Sequence, residues 1–308
     1  MTEIIFELYF PIILLVLLLI ILISGIKNEY KEPELMNLDE FIRDWLLGHG
    51  QGHKMDKQFK RIKSEPTGKL YMPITYKGAK FFLKLRVSPN KVSLINLILS
   101  FFIFYTSVMG GKGHSLNLFT EQPVFGSLFI ITSLLVLGAG IIDGIDGAIA
   151  RLSNKKSKSG AWFDNVIDRI SDILMLVGLI PGNILILQNV GLDFSWIVWT
   201  NILLIQLYEY MRARHEGLGL HQINPYIGER PMRVIILSTF FMIYGISSIS
   251  VFLTNLINPA LNVAWSVSHP AVITWCILIS QFTLFVIMVV CCIQLGNYSY
   301  KNLKKIEN

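Results

Sequence analysis

The sequence predicts an all-α integral membrane protein in which seven transmembrane helices accompany an amphipathic helix lying in the inner interface. Three observations carry that prediction. Of the 308 residues, 53% are hydrophobic and only 16% charged, and the mean hydropathy is +0.54. These totals exclude an ordinary soluble enzyme and a disordered chain, since both need more charge in contact with water. Apolar runs approaching the about 20 residues that a bilayer core demands occur seven times along the chain. With Lys27 on the cytosolic side, the outer segments 1–4, 110–123, 183–194 and 256–269 hold only Lys112 of the 27 basic residues, so the positive-inside rule fixes the orientation.

The first run, about 5–26, has no basic leader and no small-residue cleavage site, and is expected to be a retained helix rather than a signal peptide. A polar cytosolic segment follows over 27–70. Within it Asn37 is placed to cap a short amphipathic helix running through Leu47. The His49-Gly-Gln-Gly-His53 stretch, with no carboxylate or cysteine pattern nearby, is expected to be a loop rather than a metal site. Tyr71 to Arg86 puts Lys77, Lys80 and Lys84 on one helical stripe and Ile74, Phe81, Phe82 and Leu85 mostly elsewhere, which suits the interfacial helix. The remaining spans are expected at about 89–109, 124–149, 160–182, 195–215, 230–255 and 270–297. Cys276, Cys291 and Cys292 share one apolar segment, which excludes a disulfide framework and a spaced thiolate metal site. Removing residues 1–70 is expected to leave a folded, active core, because every site residue singled out below lies beyond Val87.

Asp143, Asp146, Asp164, Asp168 and Asp172 lie at or inside the inner ends of the third and fourth spans, where an uncompensated carboxylate costs at least about 2.5 kcal/mol. At about 100° per residue, Asp143, Asp146, Gly147 and Ala150 share one face, and Gly160, Asp164 and Asp168 form an i, i+4, i+8 stripe on the next helix. The connection from Leu152 to Ser159 lets the two faces meet. Facing acidic pairs repel unless cations lie between them, and hard divalent ions such as Mg2+ take carboxylate together with phosphate oxygens. That chemistry suits a diphosphate substrate. Gly147 and Ala150 keep side-chain bulk away from a ligand, and Arg151 adds a fixed cation for a phosphate or for one of the acids. Purely structural pairing with Arg151, Arg169 and nearby lysines is the plainer alternative, but intramembrane carboxylates in this number favour function. Asp172 rotates off the stripe, and a packing or Arg169-linked role suits it at least as well as ligation.

Asp143 to Asp168 reads DGIDGAIARLSNKKSKSGAWFDNVID, matching DxxDGxxAR(x8)GxxxDxxxD at every specified position, and so resembles the signature of the CDP-alcohol phosphatidyltransferases. The resemblance runs from about Tyr71 to the C-terminus. It implies a catalytic domain over 71–308, built as an interfacial helix plus a six-helix transmembrane core. The extra N-terminal transmembrane helix 1–26 and the polar segment 27–70 are additions to that plan. It further implies a homodimer in a prokaryotic cell membrane, with its active site facing the cytosol. Carried onto this chain, it implies that Asp143, Asp146, Asp164 and Asp168 coordinate one or two divalent metals, Mg2+ or Mn2+, and that Asp168 deprotonates the acceptor. Gly147, Arg151 and Ser157 would contact the CDP group, with Ala150 and Gly160 on the same nucleotide face. Ser88-Pro-Asn-Lys-Val-Ser93 resembles the family's Pro-Asn/Asp-x-Val-Thr/Ser segment and would bring Asn90 and Ser93 to the nucleotide. Physical chemistry agrees, because cations neutralise a diphosphate and stabilise departing CMP, while an acceptor hydroxyl needs a positioned base. Spacing alone leaves Asp164 open as an alternative base.

Tyr208-Glu-Tyr-Met-Arg-Ala-Arg-His-Glu-Gly-Leu-Gly219 and Gly228-Glu-Arg-Pro-Met-Arg233 resemble the (K/R)ARAE and ERPxR segments of the family's inositol-phosphate and archaetidylinositol-phosphate branch. That resemblance implies that Arg212 and Arg233 hold an acceptor phosphate, although positive-inside anchoring also places arginines here. The branch's Gln-Arg near the end of the last helix is replaced by Cys292-Ile-Gln-Leu295, so a third cationic contact is missing. The implied reaction transfers a phosphatidyl-type group, diacyl or archaeal ether, from a CDP-lipid to a small polar alcohol with release of CMP. A phosphorylated polyol such as inositol phosphate is favoured over glycerol phosphate and unphosphorylated alcohols. The expected partners are these two substrates and membrane lipid, with no nucleic acid. An intramembrane prenyltransferase would carry its acidic motifs on well-separated helices, and a cation or proton transporter has no need of Gly147, Ala150, Arg151 and Gly160 at these spacings.

Overall fold

The computed structural model describes residues 4–26, 36–48, 55–115, 125–181, 184–187, 191–220, 227–258 and 269–307. A π-helical turn at Ile5–Tyr9 leads into α1 (Phe10–Ile26), followed by α2 (Leu38–Gly48), α3 (Met55–Ser64), α4 (Pro66–Lys84) and α5 (Pro89–Ser115). Next come α6 (Leu128–Leu152), α7 (Lys158–Val177), a short antiparallel pair β1 (Ile186–Leu187) and β2 (Leu192–Asp193), α8 (Ser195–Gly217), α9 (Arg230–Ile257) and α10 (His269–Glu307).

Among the described residues, five helical stretches, Ile5–Ser24, Pro89–Gly111, Leu128–Leu152, Arg230–Thr254 and Trp275–Ile306, are long and apolar enough to cross a membrane. The protein is therefore a multi-pass, all-α membrane protein. The stretches expected at 160–182 and 195–215 are helical too, but α7 carries Asp164, Asp168, Arg169 and Asp172, and α8 carries Glu209, Arg212, Arg214 and Glu216. These charges lower the hydropathy of the helices that carry them. The β1–β2 pair falls in a segment expected to be an irregular outer connection. The expected His49–His53 loop lies outside the described residues.

The chain divides into two compact units, Met1–Leu99 with Gly138–Ser171, and Ser100–Leu137 with Asp172–Asn308. In the first unit α2 starts as its capping chemistry predicts. Asn37 Oδ1 accepts from the Glu40 amide at 2.9 Å and the Glu40 carboxylate accepts from the Asn37 amide at 2.8 Å, a reciprocal capping box. Phe41, Ile42 and Leu46 of α2 are buried in one apolar cluster with Met72, Ala79 and Leu83 of α4, Val92 and Ile95 of α5, and Ile145, Ile149 and Leu152 of α6. At about 1.5–3 kcal/mol for each large apolar side chain buried, α2 is a structural member of this unit. Removing residues 1–70 would take Phe41, Ile42 and Leu46 out of this cluster.

On α4 the buried face is Met72, Thr75, Ala79 and Leu83, whereas Lys77, Phe81 and Lys84 are exposed, the outward mixture of cations and an aromatic ring that suits an interface. Glycines bring α4 and α6 together: a Cβ on Gly78 would lie 2.6 Å from Ile145 Cδ1, and one on Gly144 would strike the Tyr71 hydroxyl. This close approach seats the turn of α6 that carries Asp143 and Asp146 directly on α4. In the second unit, Asn201 of α8 donates to Gln281 of α10 at its carbonyl and side-chain oxygens, 2.9 and 3.0 Å away. Ser133 of α6 donates to the Ser238 carbonyl of α9 at 2.6 Å. These two buried donors are thus satisfied between helices, as an apolar surrounding requires.

Candidate active site

The acidic residues of the first unit come from both sides of a tight connection. Asn154 takes a left-handed backbone conformation at φ 53°, which Asn tolerates better than most residues. Ser157 then caps α7, its hydroxyl accepting from the Gly160 amide at 3.0 Å, the standard N-cap use of a short hydroxyl side chain. The result brings one ligand oxygen each of Asp143, Asp164 and Asp168 within 4.8 Å of one another. Oxygens bound to a single cation at about 2.1–2.5 Å lie no more than about 4–5 Å apart, so the three carboxylates fit a divalent ion.

Asp146 stands beside that trio rather than in it. Its Oδ2 accepts from the Ser93 hydroxyl at 2.6 Å and its Oδ1 from the Gly147 amide at 2.5 Å, and its carboxyl also reaches Asp164. Of the four expected ligands, the structure groups three and turns the fourth towards Ser93. Ser93 itself is buried, and its hydroxyl is directed at Asp146.

Three of the expected nucleotide residues converge. A Cβ on Gly160 would lie 2.9 Å from Ser157 Oγ and 3.4 Å from Asn90 Oδ1, so a residue without a side chain lets the start of α5 and the cap of α7 meet here. At Gly147 a Cβ would meet nothing within 4 Å; open space, not packing, lies beside this turn of α6. Ala150 is half-buried on the same helix. Arg151 is held by a residue that the sequence did not single out: its Nη1 donates to the Asp44 carbonyl oxygen at 3.2 Å and to Asp44 Oδ2 at 3.3 Å. Lys156 Nζ donates to the same carboxylate at 2.8 and 2.7 Å. Partial burial pulls the Asp44 carboxyl upward, but Lys156 and Arg151 outweigh it and hold the group below its ordinary value. No pattern in the α2 sequence LDEFIRDWLLG marks Asp44 apart from Asp39 and Glu40.

In the second unit the arginines expected at the acceptor are bound by acids. Arg233, whose side chain is 4% exposed, places Nη2 3.1 Å from both Asp172 Oδ2 and Glu209 Oε1, and Nη1 donates to the Gly228 carbonyl at 3.1 Å. Arg230 lies 3.6 Å from Asp172. Arg212 donates to Glu229 at 2.8 Å, approaches Glu216 at 3.6 Å, and shares Glu229 with the Tyr208 hydroxyl at 3.2 Å. Asp172 therefore belongs to an ion-pair network with two arginines of α9. Glu209 and Glu229 stand inside the two recognised segments, but nothing in their spacing identified them as the partners.

Residues 86–268, more than half of the chain, match the family model described as CDP-alcohol phosphatidyltransferase. The chain belongs to this family of membrane transferases of phospholipid biosynthesis. It is 28% identical over 160 residues to the archaetidylinositol phosphate synthase of Pyrococcus horikoshii, an alignment spanning 51% of this chain and 71% of that one. It is 32% identical over 176 residues to an uncharacterized protein of Aquifex aeolicus, spanning 57% and 79% respectively. Among solved structures, the Mycobacterium tuberculosis phosphatidylinositol phosphate synthase with CDP-DAG bound aligns at a TM-score of 0.48 and 22% identity, over 74% of this chain and 94% of that one.

Proposed function

We propose that the protein transfers a phosphatidyl-type group, diacyl or archaeal ether, from a CDP-lipid to a phosphorylated polyol of the inositol phosphate kind, releasing CMP. The observation that carries this reading is the meeting of Asp143, Asp164 and Asp168 within 4.8 Å inside the family signature. These three carboxylates, with Asp146 alongside, hold Mg2+ or Mn2+. A divalent cation held there would supply charge neutralisation for the donor's diphosphate and for CMP as it leaves. Asn90, Ser157 and Gly160 form one edge of the nucleotide subsite, Gly147, Ala150 and Arg151 the other, and Ser93 keeps Asp146 in place between them.

Asp168 takes the proton of the acceptor hydroxyl, whose oxygen bonds to the lipid-bearing phosphorus as the bond from that phosphorus to the CMP oxygen breaks. Arg212 and Arg233 receive the acceptor phosphate in exchange for part of their carboxylate contacts, Arg212 being the more accessible, with its side chain 35% exposed. The name of the Pyrococcus relative supports an inositol-phosphate acceptor. The same reading counts α7 and α8 as spans, for seven in all. It takes 71–308 as the catalytic domain behind the helix 1–26 and the segment 27–70, and places a homodimer in a prokaryotic cell membrane with its site facing the cytosol.

The test is CMP release by the purified protein from CDP-diacylglycerol or its ether counterpart, with Mg2+ or Mn2+ and with inositol phosphate, glycerol phosphate, serine or free inositol. Metal-dependent release that is fastest with inositol phosphate is expected. Equal use of charged and uncharged acceptors overturns the phosphate pocket.

A further inference from the structure

Helix α2 lies outside the residues that match the family, yet its last turns hold the signature arginine. Arg151 Nη1 contacts both the carbonyl oxygen and the carboxylate of Asp44, at the C-terminal end of a helix, where exposed carbonyls and the helix dipole favour a cation. Lys156 bonds both oxygens of the same carboxylate, so a single residue ties α2 to the last turn of α6 and to the connection leading to Ser157. Gly48 completes the clamp, because a Cβ there would lie 2.6 Å from Arg151 Nη1 and 3.1 Å from Nη2. The guanidinium rests against the terminal backbone of α2.

Asp44 is not a swinging surface acid. Phe41, Ile42 and Leu46 around it are 1%, 3% and 0% exposed, and the Asn37–Glu40 box fixes the other end of the helix. Two cations face one carboxylate, so the cluster keeps a net positive charge towards a phosphate while losing the rotamer freedom that a long side chain would otherwise surrender on binding.

We propose that Asp44, in the N-terminal extension, is a positioning residue for the donor: with the C-terminal end of α2 it holds Arg151 by its Nη1 edge and presents the other guanidinium N–H groups to the phosphates of the CDP-lipid. The inference rests on the reading of Arg151 as a donor contact. The experiment measures equilibrium binding of CDP-diacylglycerol, with Mg2+ present, to the full-length protein in detergent, together with thermal melting. Asp44→Asn and Gly48→Ala are each expected to raise the donor Kd about tenfold, the scale of one charge-assisted hydrogen bond. Asp44→Glu should recover part of the affinity, and Asp44→Asn should add nothing in an Arg151→Ala background. Gly48→Ala favours the helix intrinsically and displaces only the flexible end of Arg151, so a weakened donor at unchanged melting temperature separates positioning from folding. If Asp44→Asn fails to fold, Gly48→Ala decides alone. Should Arg151→Ala weaken the donor while Asp44→Asn and Gly48→Ala do not, the positioning role is overturned. If Arg151→Ala leaves the donor Kd unchanged, it is the reading of Arg151 that fails, and the inference with it.

Discussion

Each unit holds a cluster of acids, and the two clusters are built differently. In the first, Asp143, Asp164 and Asp168 are gathered against one another; in the second, Asp172, Glu209 and Glu229 are each matched to a guanidinium of Arg212, Arg230 or Arg233. Asp168 and Asp172 are one turn apart on α7 and fall on either side of this division. A count of acids along a membrane helix therefore does not tell a metal site from an ion-pair network; the charge of the neighbours does. Grouped carboxylates offer the oxygen ligands that a divalent cation takes. A matched network is damaged by losing either partner.

The largest effect should come from breaking the matched side. Arg233→Gln leaves Asp172 and Glu209 with one buried cation fewer, and a loss of about 3–5 kcal/mol of stability is expected, seen as a lower melting temperature in detergent. Asp164→Asn does the reverse. Melting is expected to hold or rise, because one of three like charges is removed, while metal-dependent CMP release falls by about 100-fold, the scale on which loss of one electrostatic stabiliser acts. A parallel loss of stability in both variants would erase the contrast between the units.

A milder test concerns Arg212, the more exposed of the two arginines assigned to the acceptor. Arg212→Gln should weaken use of a phosphorylated acceptor by about 1.5–3 kcal/mol, read as a higher acceptor KM with the donor KM unchanged. A lower melting temperature without a change in KM would move Arg212 into the purely structural class. The smallest effect is pH-dependent. The Asp44 carboxyl is held below its ordinary value of 3.8, so its ion pairs contribute their full stability above that value and lose it as the pH falls through the lowered one. The melting difference between wild type and Asp44→Asn should accordingly shrink below about pH 4 and stay constant above it.

The sequence made the signature legible because spacing on two helices and a short connection determines which carboxylates can meet, and Asp143, Asp164 and Asp168 do meet. Most of the helices followed from hydropathy and from caps such as Asn37, but α3 and the first turn of α4, inside the stretch read as a polar segment, did not. Long-range pairing was not legible. Nothing local says that Asp44 reaches Arg151 from 107 positions earlier, that Ser93 occupies Asp146, or that Asp172 pairs with α9, since each partner is chosen by tertiary packing. The role of α2 was missed for the same reason. Its apolar face is short and reads as amphipathic surface until α4, α5 and α6 close over Phe41 and Leu46.

The most direct test of the central claim is Mn2+ binding to the purified protein, followed by electron paramagnetic resonance and independent of turnover. The wild type should bind Mn2+, Asp143→Asn and Asp164→Asn should each lose most of that affinity, and Asp44→Asn, whose carboxylate serves Arg151 and Lys156, should retain it. Undiminished Mn2+ binding in both Asp143→Asn and Asp164→Asn would contradict a metal site built on the Asp143, Asp164 and Asp168 carboxylates.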